Sequence, residues 1–321
     1  MNKLRWGILG TGRIAHTFAR DLAHLPGSRL AAVGSRSATS AQAMARTFEG
    51  CRAHASYAAL AADPEVDVVY VATPHTLHRD NSLLCLEQGK AVLCEKPLAI
   101  NAAQGQEMVA AARESGRFLM EAMWTRCNPV LREVSGRIAS GAIGEPRMLQ
   151  VDFGFRTDFD AKGRLFAPEL GGGSLLDVGV YCLSLAHHVF GGAPEELVGL
   201  ADIGRSGVDE QAAWVGRWSG GRLALMSSAT RSNTPQEAVI TGSEGRIRIP
   251  DFWRANSYLL GKEEHRFEQV GEGYHHEAAE VERCLAAGEQ QSSLLPLAES
   301  IEVLRSMDRL RQSFGLRYPG E

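Results

Sequence analysis

Asp177 and Tyr181 stand four residues apart in GGGSLLDVGVYCLSLAHH, residues 171–188. A carboxylate and a phenol at that spacing share one face of a helix. Their neighbours Leu175, Leu176, Val178, Val180 and Leu183 are apolar, so both polar groups need partners once the helix is buried. A phenol titrates near 10, about three units too high for a base at neutral pH. A nearby cation lowers that value by favouring the phenolate. Lys96, in EKP (95–97), is the lysine suited to this part. Lys96 and Tyr181 then form an acid–base device for a hydroxyl proton, with Asp177 orienting it. A structural reading stands beside this one. Ser174-x-x-Asp177 is also a capping pattern, in which Asp177 is the N3 residue of a capped core helix.

A second set of residues points to a dinucleotide. GILGTGRIA (7–15) holds Gly10-x-Gly12-x-x-Ala15 between an apolar strand pattern and an amphipathic helix pattern. The first glycine makes the tight turn, the second lets backbone approach a diphosphate, and the small third residue lets helix pack on strand. The helix N-terminus then offers free N–H groups to the phosphates. The next strand ends in Gly34-Ser35-Arg36, without the acid that would bind a ribose diol. Ser35 and Arg36 suit a 2′-phosphate, which predicts NADP over NAD. A solvent-exposed loop arginine is the alternative reading of Arg36.

These residues need a scaffold, and the first 120 residues supply one. Apolar stretches at 4–10, 30–36, 66–74, 91–97 and 117–124 alternate with helical patterns at 13–25, 40–48, 78–89 and 102–116. Such alternation means α/β architecture with a doubly wound parallel sheet of Rossmann type. EKP falls at the carboxyl end of a strand, where ligands gather in such sheets, and Pro97 keeps Lys96 extended. Beyond residue 145 the pattern changes to strands in succession, at 147–155, 195–204, 211–218, 222–230, 237–242 and 246–250. Ser-Gly-Gly (219–221) and Ser-Glu-Gly (243–245) provide hairpin turns. The second half is therefore expected to be an open-faced, mostly antiparallel sheet with flanking helices, among them 275–288 and 296–314. The expected divisions are a dinucleotide-binding domain at 1–122, a substrate and oligomerisation domain at 123–295, and a C-terminal helix at 296–321 packing back on the N-terminal domain.

Composition narrows the function classes. A chain of 321 residues suits two ordinary domains. Hydrophobic residues make up 44% and charged residues 22%, and the net charge of −4 offers no broad basic surface for nucleic acid. Cys51, Cys85, Cys94, Cys127, Cys182 and Cys284 form no C-x-x-C pair, so free thiols in a reducing, cytoplasmic setting are expected. No apolar run is long enough to cross a bilayer. His187-His188 and His275-His276 are adjacent pairs that point in different directions, so no metal site is expected. His75 and His78 are read as lining the cleft, with His78 donating to the cofactor. Tyr274 fits either a substrate contact or core packing, and Trp218 and Trp253 fit packing.

Together the G-x-G-x-x-A turn, EKP near residue 95 and Gly172-Gly173-x-x-x-Asp177-x-Gly179-x-Tyr181 resemble the glucose–fructose oxidoreductase/inositol dehydrogenase (Gfo/Idh/MocA) family. Most members carry histidine where this chain has Tyr181. That departure, with EAMWTR (121–126) and RLFAPELGGGSLLDVGVY (164–181), resembles the subgroup of dimeric trans-dihydrodiol dehydrogenases and NADP-dependent D-xylose dehydrogenases. The resemblance implies proton transfer by Lys96 and Tyr181 with Asp177 nearby. It implies cofactor contacts from Gly10, Thr11, Gly12, Arg13, Ile14, Thr73, Pro74, His78, Glu95 and Lys96. Trp124 and Arg126 would lie at the nicotinamide and substrate end, and the exposed face of the C-terminal sheet would pair subunits into a homo-oligomer, most simply a dimer. The expected activity is NADP-dependent hydride transfer at a secondary alcohol or lactol carbon of a sugar, polyol or dihydrodiol. Two other readings stay open: a non-catalytic NADP-binding regulator, and a hydrolase or lyase working through transient oxidation.

Overall fold

In the computed structural model, residues 3–319 and 321 are described. They form two compact units. Unit 1 comprises the chain up to Ala99, Ala103–Trp124 and Gln269–Leu297. Unit 2 comprises Ile100–Ala102, Thr125–Glu268 and the chain from Ala298 onward.

Unit 1 is built on β1 (Leu4–Leu9), β2 (Ser28–Gly34), β3 (Arg52–His54), β4 (Val68–Val71), β5 (Ala91–Glu95) and β6 (Leu119–Ala122). They lie in the order β3-β2-β1-β4-β5-β6, and every pairing is parallel. The order reverses at β1, the switch point where doubly wound sheets bind ligands. Five helices connect the strands: α1 (Arg13–Asp21), α2 (Ala38–Ala45), α3 (Tyr57–Ala61), α4 (His78–Glu87) and α5 (Ala102–Ser115). The strands β4 and β5 are buried at every residue, as a sheet covered on both faces requires. Phe18 of α1 stacks on Tyr70 of β4 at 3.9 Å and meets Trp6 of β1 edge-on at 5.2 Å. Truncating such a fully buried ring costs about 3–5 kcal/mol.

Unit 2 opens with α6 (Pro129–Ala139), capped by Asn128, whose side chain accepts from Val130 N. Its sheet contains β7 (Pro146–Gly154), β8 (Glu196–Ile203), β9 (Asp209–Trp218), β10 (Arg222–Ala229), β11 (Ala238–Gly242), β12 (Arg246–Ile249), β13 (Ser257–Leu260) and β14 (Glu263–Arg266). The order is β14-β13-β12-β11-β7-β10-β9-β8. The β7–β10 pair is parallel and all others are antiparallel. One face packs against α7 (Val180–Phe190) and the turn before it. The other face exposes Val198, Leu200, Val215 and Leu225.

Several elements differ from the sequence expectation. β3 is only three residues, Arg-Ala-His, and α3 only five, Tyr57–Ala61, so both are too short to carry a periodic signal. α6, β13 and β14 were likewise not expected. The helix α8 (His275–Ala286) belongs to unit 1 rather than to the second domain. Its segment is tied there by Leu119 N donating to Gln290 O at 3.1 Å and by a short bond from Ser28 Oγ to Glu282. The last helix, α9 (Leu297–Phe314), is grouped with unit 2 rather than with the N-terminal domain. There Ser306 bonds His187 at 3.0 Å, and Arg309 donates to Pro194 O at 3.0 Å. Long-range partners fix both placements, and local sequence does not encode them.

Candidate active site

In unit 1 the turn between β1 and α1 has the geometry a diphosphate needs. Gly10 has φ +102°, and a Cβ there would lie 2.5 Å from the Ala72 carbonyl oxygen. Only glycine fits both constraints. Gly12 is exposed, and a Cβ there would meet nothing within 4 Å. It caps α1 without a side-chain hydrogen bond, and no acid lies in the first turn. Open space and uncapped N–H groups at a helix start fit a bound phosphate. Thr11 and Ile14 are half-buried around this turn, and Arg13 is exposed. β2 runs into Ser35, which is buried and accepts from Ser37 N at 3.2 Å, and then Arg36, which is exposed. These residues could hold a nicotinamide dinucleotide, with Ser35 and Arg36 at the adenosine ribose.

The carboxyl ends of β4 and β5 carry the next group. Glu95 is buried and accepts from Tyr70 Oη through a short bond and from Lys96 N at 3.0 Å. Lys96 is half-buried at the strand end. Thr73 is buried, and its hydroxyl accepts from Asn81 at 3.1 Å; Pro74 is half-buried beside it. His78 departs from expectation. It is fully buried, with Nδ1 2.8 Å from Pro97 O and Nε2 3.0 Å from Thr73 O. Two carbonyls ask for two N–H groups, which only the charged ring has. Burial outweighs them and holds the pKa down to about 4, with the Lys96 charge adding to the effect. The ring is therefore neutral at pH 7, and its nitrogens face backbone. His78 ties the Thr73 loop to the Lys96-Pro97 turn and has no nitrogen left to donate to a cofactor.

Trp124 is 3% exposed, because the ring of Tyr274 stacks on it at 4.4 Å with 16° between planes. The half-exposed ring of the pair is Tyr274. Behind it lies Glu277, fully buried, with neither carboxylate oxygen hydrogen-bonded. Burial, then Glu95 and Asp21, push its pKa well above the ordinary carboxylate value. Sequence reasoning missed Glu277: an acid within HHEAAEVER reads as a solvated helix residue until the helix is placed.

In unit 2 the stretch containing Asp177 and Tyr181 is helical but not capped as expected. Leu175–Gly179 is a single π-turn running into α7, a feature frequent at functional sites. Ser174 makes no capping bond to the helix. Its hydroxyl donates to Asp209 of β9 at 2.7 Å, and Leu175 N donates to the same carboxylate oxygen at 2.6 Å. Asp209 therefore supplies the cap from another strand. Burial raises its pKa from 3.8 to about 6, against these hydrogen bonds. Asp177 accepts from Arg164 Nη1 at 2.7 Å. Its side chain is 5% exposed and that of Arg164 is 55% exposed, so the pair pins the 156–170 loop to the π-turn. Tyr181 is 6% exposed, and its ring lies 5.3 Å from Phe153, which stacks on Trp253 at 5.0 Å. Phe153, Arg164 and Asp209 are site neighbours that the sequence did not mark, and Trp253, expected to pack, stacks on Phe153 beside them.

Arg126 is buried, and its guanidinium pairs with Glu299 through a short bond. His187 bonds Ser306, and His188 bonds Ser135 at 2.6 Å. Burial, with the Arg126 charge, lowers their pKa values to about 4 and about 3. These are neutral packing histidines. Among the described residues no helix is long and apolar enough to cross a membrane.

Residues 4–123 match the family described as "Oxidoreductase family, NAD-binding Rossmann fold", and residues 131–248 match the GFO/IDH/MocA C-terminal domain. The chain is 37% identical to a trans-1,2-dihydrobenzene-1,2-diol dehydrogenase of Xenopus tropicalis, covering 98% of this chain and 99% of that one. It is 38% identical to the Danio rerio enzyme of the same name, covering 98% of each. Among solved structures, the aldose-aldose oxidoreductase of Caulobacter crescentus superimposes with a TM-score of 0.86 at 25% identity, covering 97% of each chain. A 3-ketoreductase from Actinomadura kijaniata, solved with NADP, gives 0.87 at 25% identity, covering 97% and 98%. With both halves matched and full-length relatives above 30% identity, the chain belongs to the Gfo/Idh/MocA oxidoreductase family.

Proposed function

We propose that this protein is an NADP-dependent dehydrogenase that oxidises a secondary alcohol or lactol carbon of a cyclic substrate: a sugar, polyol or dihydrodiol. The observation that carries the reading is the first turn, where Gly10 is confined against Ala72 O, Gly12 opens to space, and the following strand runs into Ser35-Arg36 without an acid. NADP supplies the hydride acceptor when bound. Tyr181 takes the substrate hydroxyl proton, and Lys96 contributes the positive charge that makes a phenol competent for this. Asp177 acts through Arg164, holding the 156–170 loop over the π-turn. In the reverse direction the same phenol returns the proton to a carbonyl. The relatives that bear the name dihydrodiol dehydrogenase, and the NADP held by a structural neighbour, support this assignment. Among the described residues no disulfide joins the six cysteines, which supports a reducing, cytoplasmic setting.

Two measurements test it. Tyr181→Phe keeps the ring against Phe153 but removes the proton carrier, so kcat is expected to fall by about 10²-fold or more while NADP affinity is unchanged. Near-normal turnover in steady-state assays on trans-1,2-dihydrobenzene-1,2-diol would remove Tyr181 from the mechanism. Arg36→Ala is expected to lower the kcat/KM ratio of NADP over NAD by about tenfold or more, by loss of charge-assisted bonds to the 2′-phosphate. An unchanged ratio would reassign the cofactor.

A further inference from the structure

Asp21 ends α1, the helix whose other end is the dinucleotide turn. It is 2% exposed, and it does not cap or pair within its own helix. Its carboxylate accepts instead from backbone far away in sequence. Glu272 N lies 3.1 Å from both oxygens, and Tyr274 N lies 2.8 Å from Oδ2. The loop it grips is built to approach it. Gly271 has φ +55°, and a Cβ there would be 2.6 Å from Asp21 Oδ1 and 2.8 Å from His24 Nε2. Gly273 has φ +100°, and a Cβ there would press on Trp124 at 3.1 Å. Two left-handed glycines therefore let the loop pass between Asp21 and Trp124. The residue delivered at its end is Tyr274, stacked on Trp124 and close enough to Glu95, Glu277 and Arg13 to feel their charges.

We propose that Asp21 is a positioning residue for Tyr274: by holding the Gly271–Tyr274 backbone it locks the Trp124–Tyr274 stack into a rigid aromatic wall that selects ring-shaped substrates over open-chain ones. This rests on the reading of Trp124 as lying at the substrate end. Stacked aromatic rings present a flat apolar surface, which suits the face of a cyclic diol or pyranose and gives little to a flexible chain that must first be ordered. Asp21 acts through two backbone N–H groups, and His275 Nδ1 lies 3.9 Å from its Oδ2.

The test separates the positioning from the reading on which it rests. The difference in intrinsic fluorescence between the wild type and Trp124→Phe isolates the emission of Trp124 and needs no substrate. Asp21→Ala, made with and without Trp124→Phe, is expected to change that difference spectrum. Asp21→Asn, which keeps an oxygen acceptor, is expected to restore it. Gly271→Ala breaks the same latch from the loop side and is expected to reproduce the Asp21→Ala spectrum, which guards against a helix defect peculiar to Asp21→Ala. An unchanged Trp124 signal in both latch variants would overturn the positioning role, whatever the activity. In assays with NADP, Asp21→Ala is expected to raise KM for trans-1,2-dihydrobenzene-1,2-diol about threefold to tenfold with kcat little changed. The effect is expected to vanish in a Tyr274→Leu background, as coupled residues require. A shifted spectrum with unchanged KM would overturn the selective wall while leaving the dehydrogenase reading in place.

Discussion

At the scale of single residues, the glycine turn shows how tightly a sequence motif can be tied to space. Gly10→Ala would drive a methyl group into the Ala72 carbonyl and demand φ +102° of an L-residue. The expected result is a loss of about 2 kcal/mol or more in stability together with loss of NADP binding. Denaturant unfolding and cofactor titration check the two effects, and a variant that binds NADP normally would show that the turn does not set the phosphate site. The placements of Gly10, Gly12, Lys96 and Tyr181 were legible because they depend on local order: a turn after a strand, a helix start, a strand end and a helix. His78 was visible as a residue, but its role was not. Only the fold reveals that both its nitrogens meet carbonyls, at Thr73 and Pro97, and that burial keeps it neutral. Glu277 and Asp21 were hidden for the same reason, since their significance comes from partners brought close by the returning chain.

At the scale of elements, the start of the Tyr181 helix was read half correctly. The glycines and Ser174 do begin a helix, but the acid that caps it is Asp209, 35 residues from Ser174. Asp177 pairs with Arg164. No spacing rule could have named a cap from a different strand. The arrangement has a pH signature. The folded-state pKa of Asp209 is raised from 3.8 to about 6, first by burial. An acid with a raised folded pKa favours the folded state when protonated, so its favourable contribution is complete below about pH 4 and is lost as pH rises through about 6, at no more than about 1.4 kcal/mol per pH unit. Asp209→Asn keeps an acceptor for Ser174 and Leu175 but has no proton to lose. Calorimetry at pH 5 and pH 8 is therefore expected to show the variant gaining thermal stability relative to the wild type as pH rises. Parallel behaviour across that range would mean that Asp209 does not titrate within it.

At the scale of the whole molecule, the alternating sheet of unit 2 leaves one face without cover. The sequence announced the strands and their hairpins, but not which face would be left bare, because that depends on register. Val198 pairs with Val215, and Val215 with Leu225, so three apolar side chains from β8, β9 and β10 form a row across the strands. Val198 is 63% exposed and Leu200, on the same strand and the same face, 82%. An apolar row of this kind on an exposed sheet face fits an association surface. A second copy meeting it about a two-fold axis would match like with like, the commonest closed arrangement. The prediction is a dimer in solution that Val215→Glu splits, because each charge would face apolar surface in the partner. Val215 lies on the face opposite α7, so the monomer released is expected to retain its fold and its NADP binding. Light scattering coupled to size exclusion reads the outcome directly. A wild-type protein that elutes as a monomer at all concentrations, or a Val215→Glu variant that stays dimeric, would move the interface elsewhere.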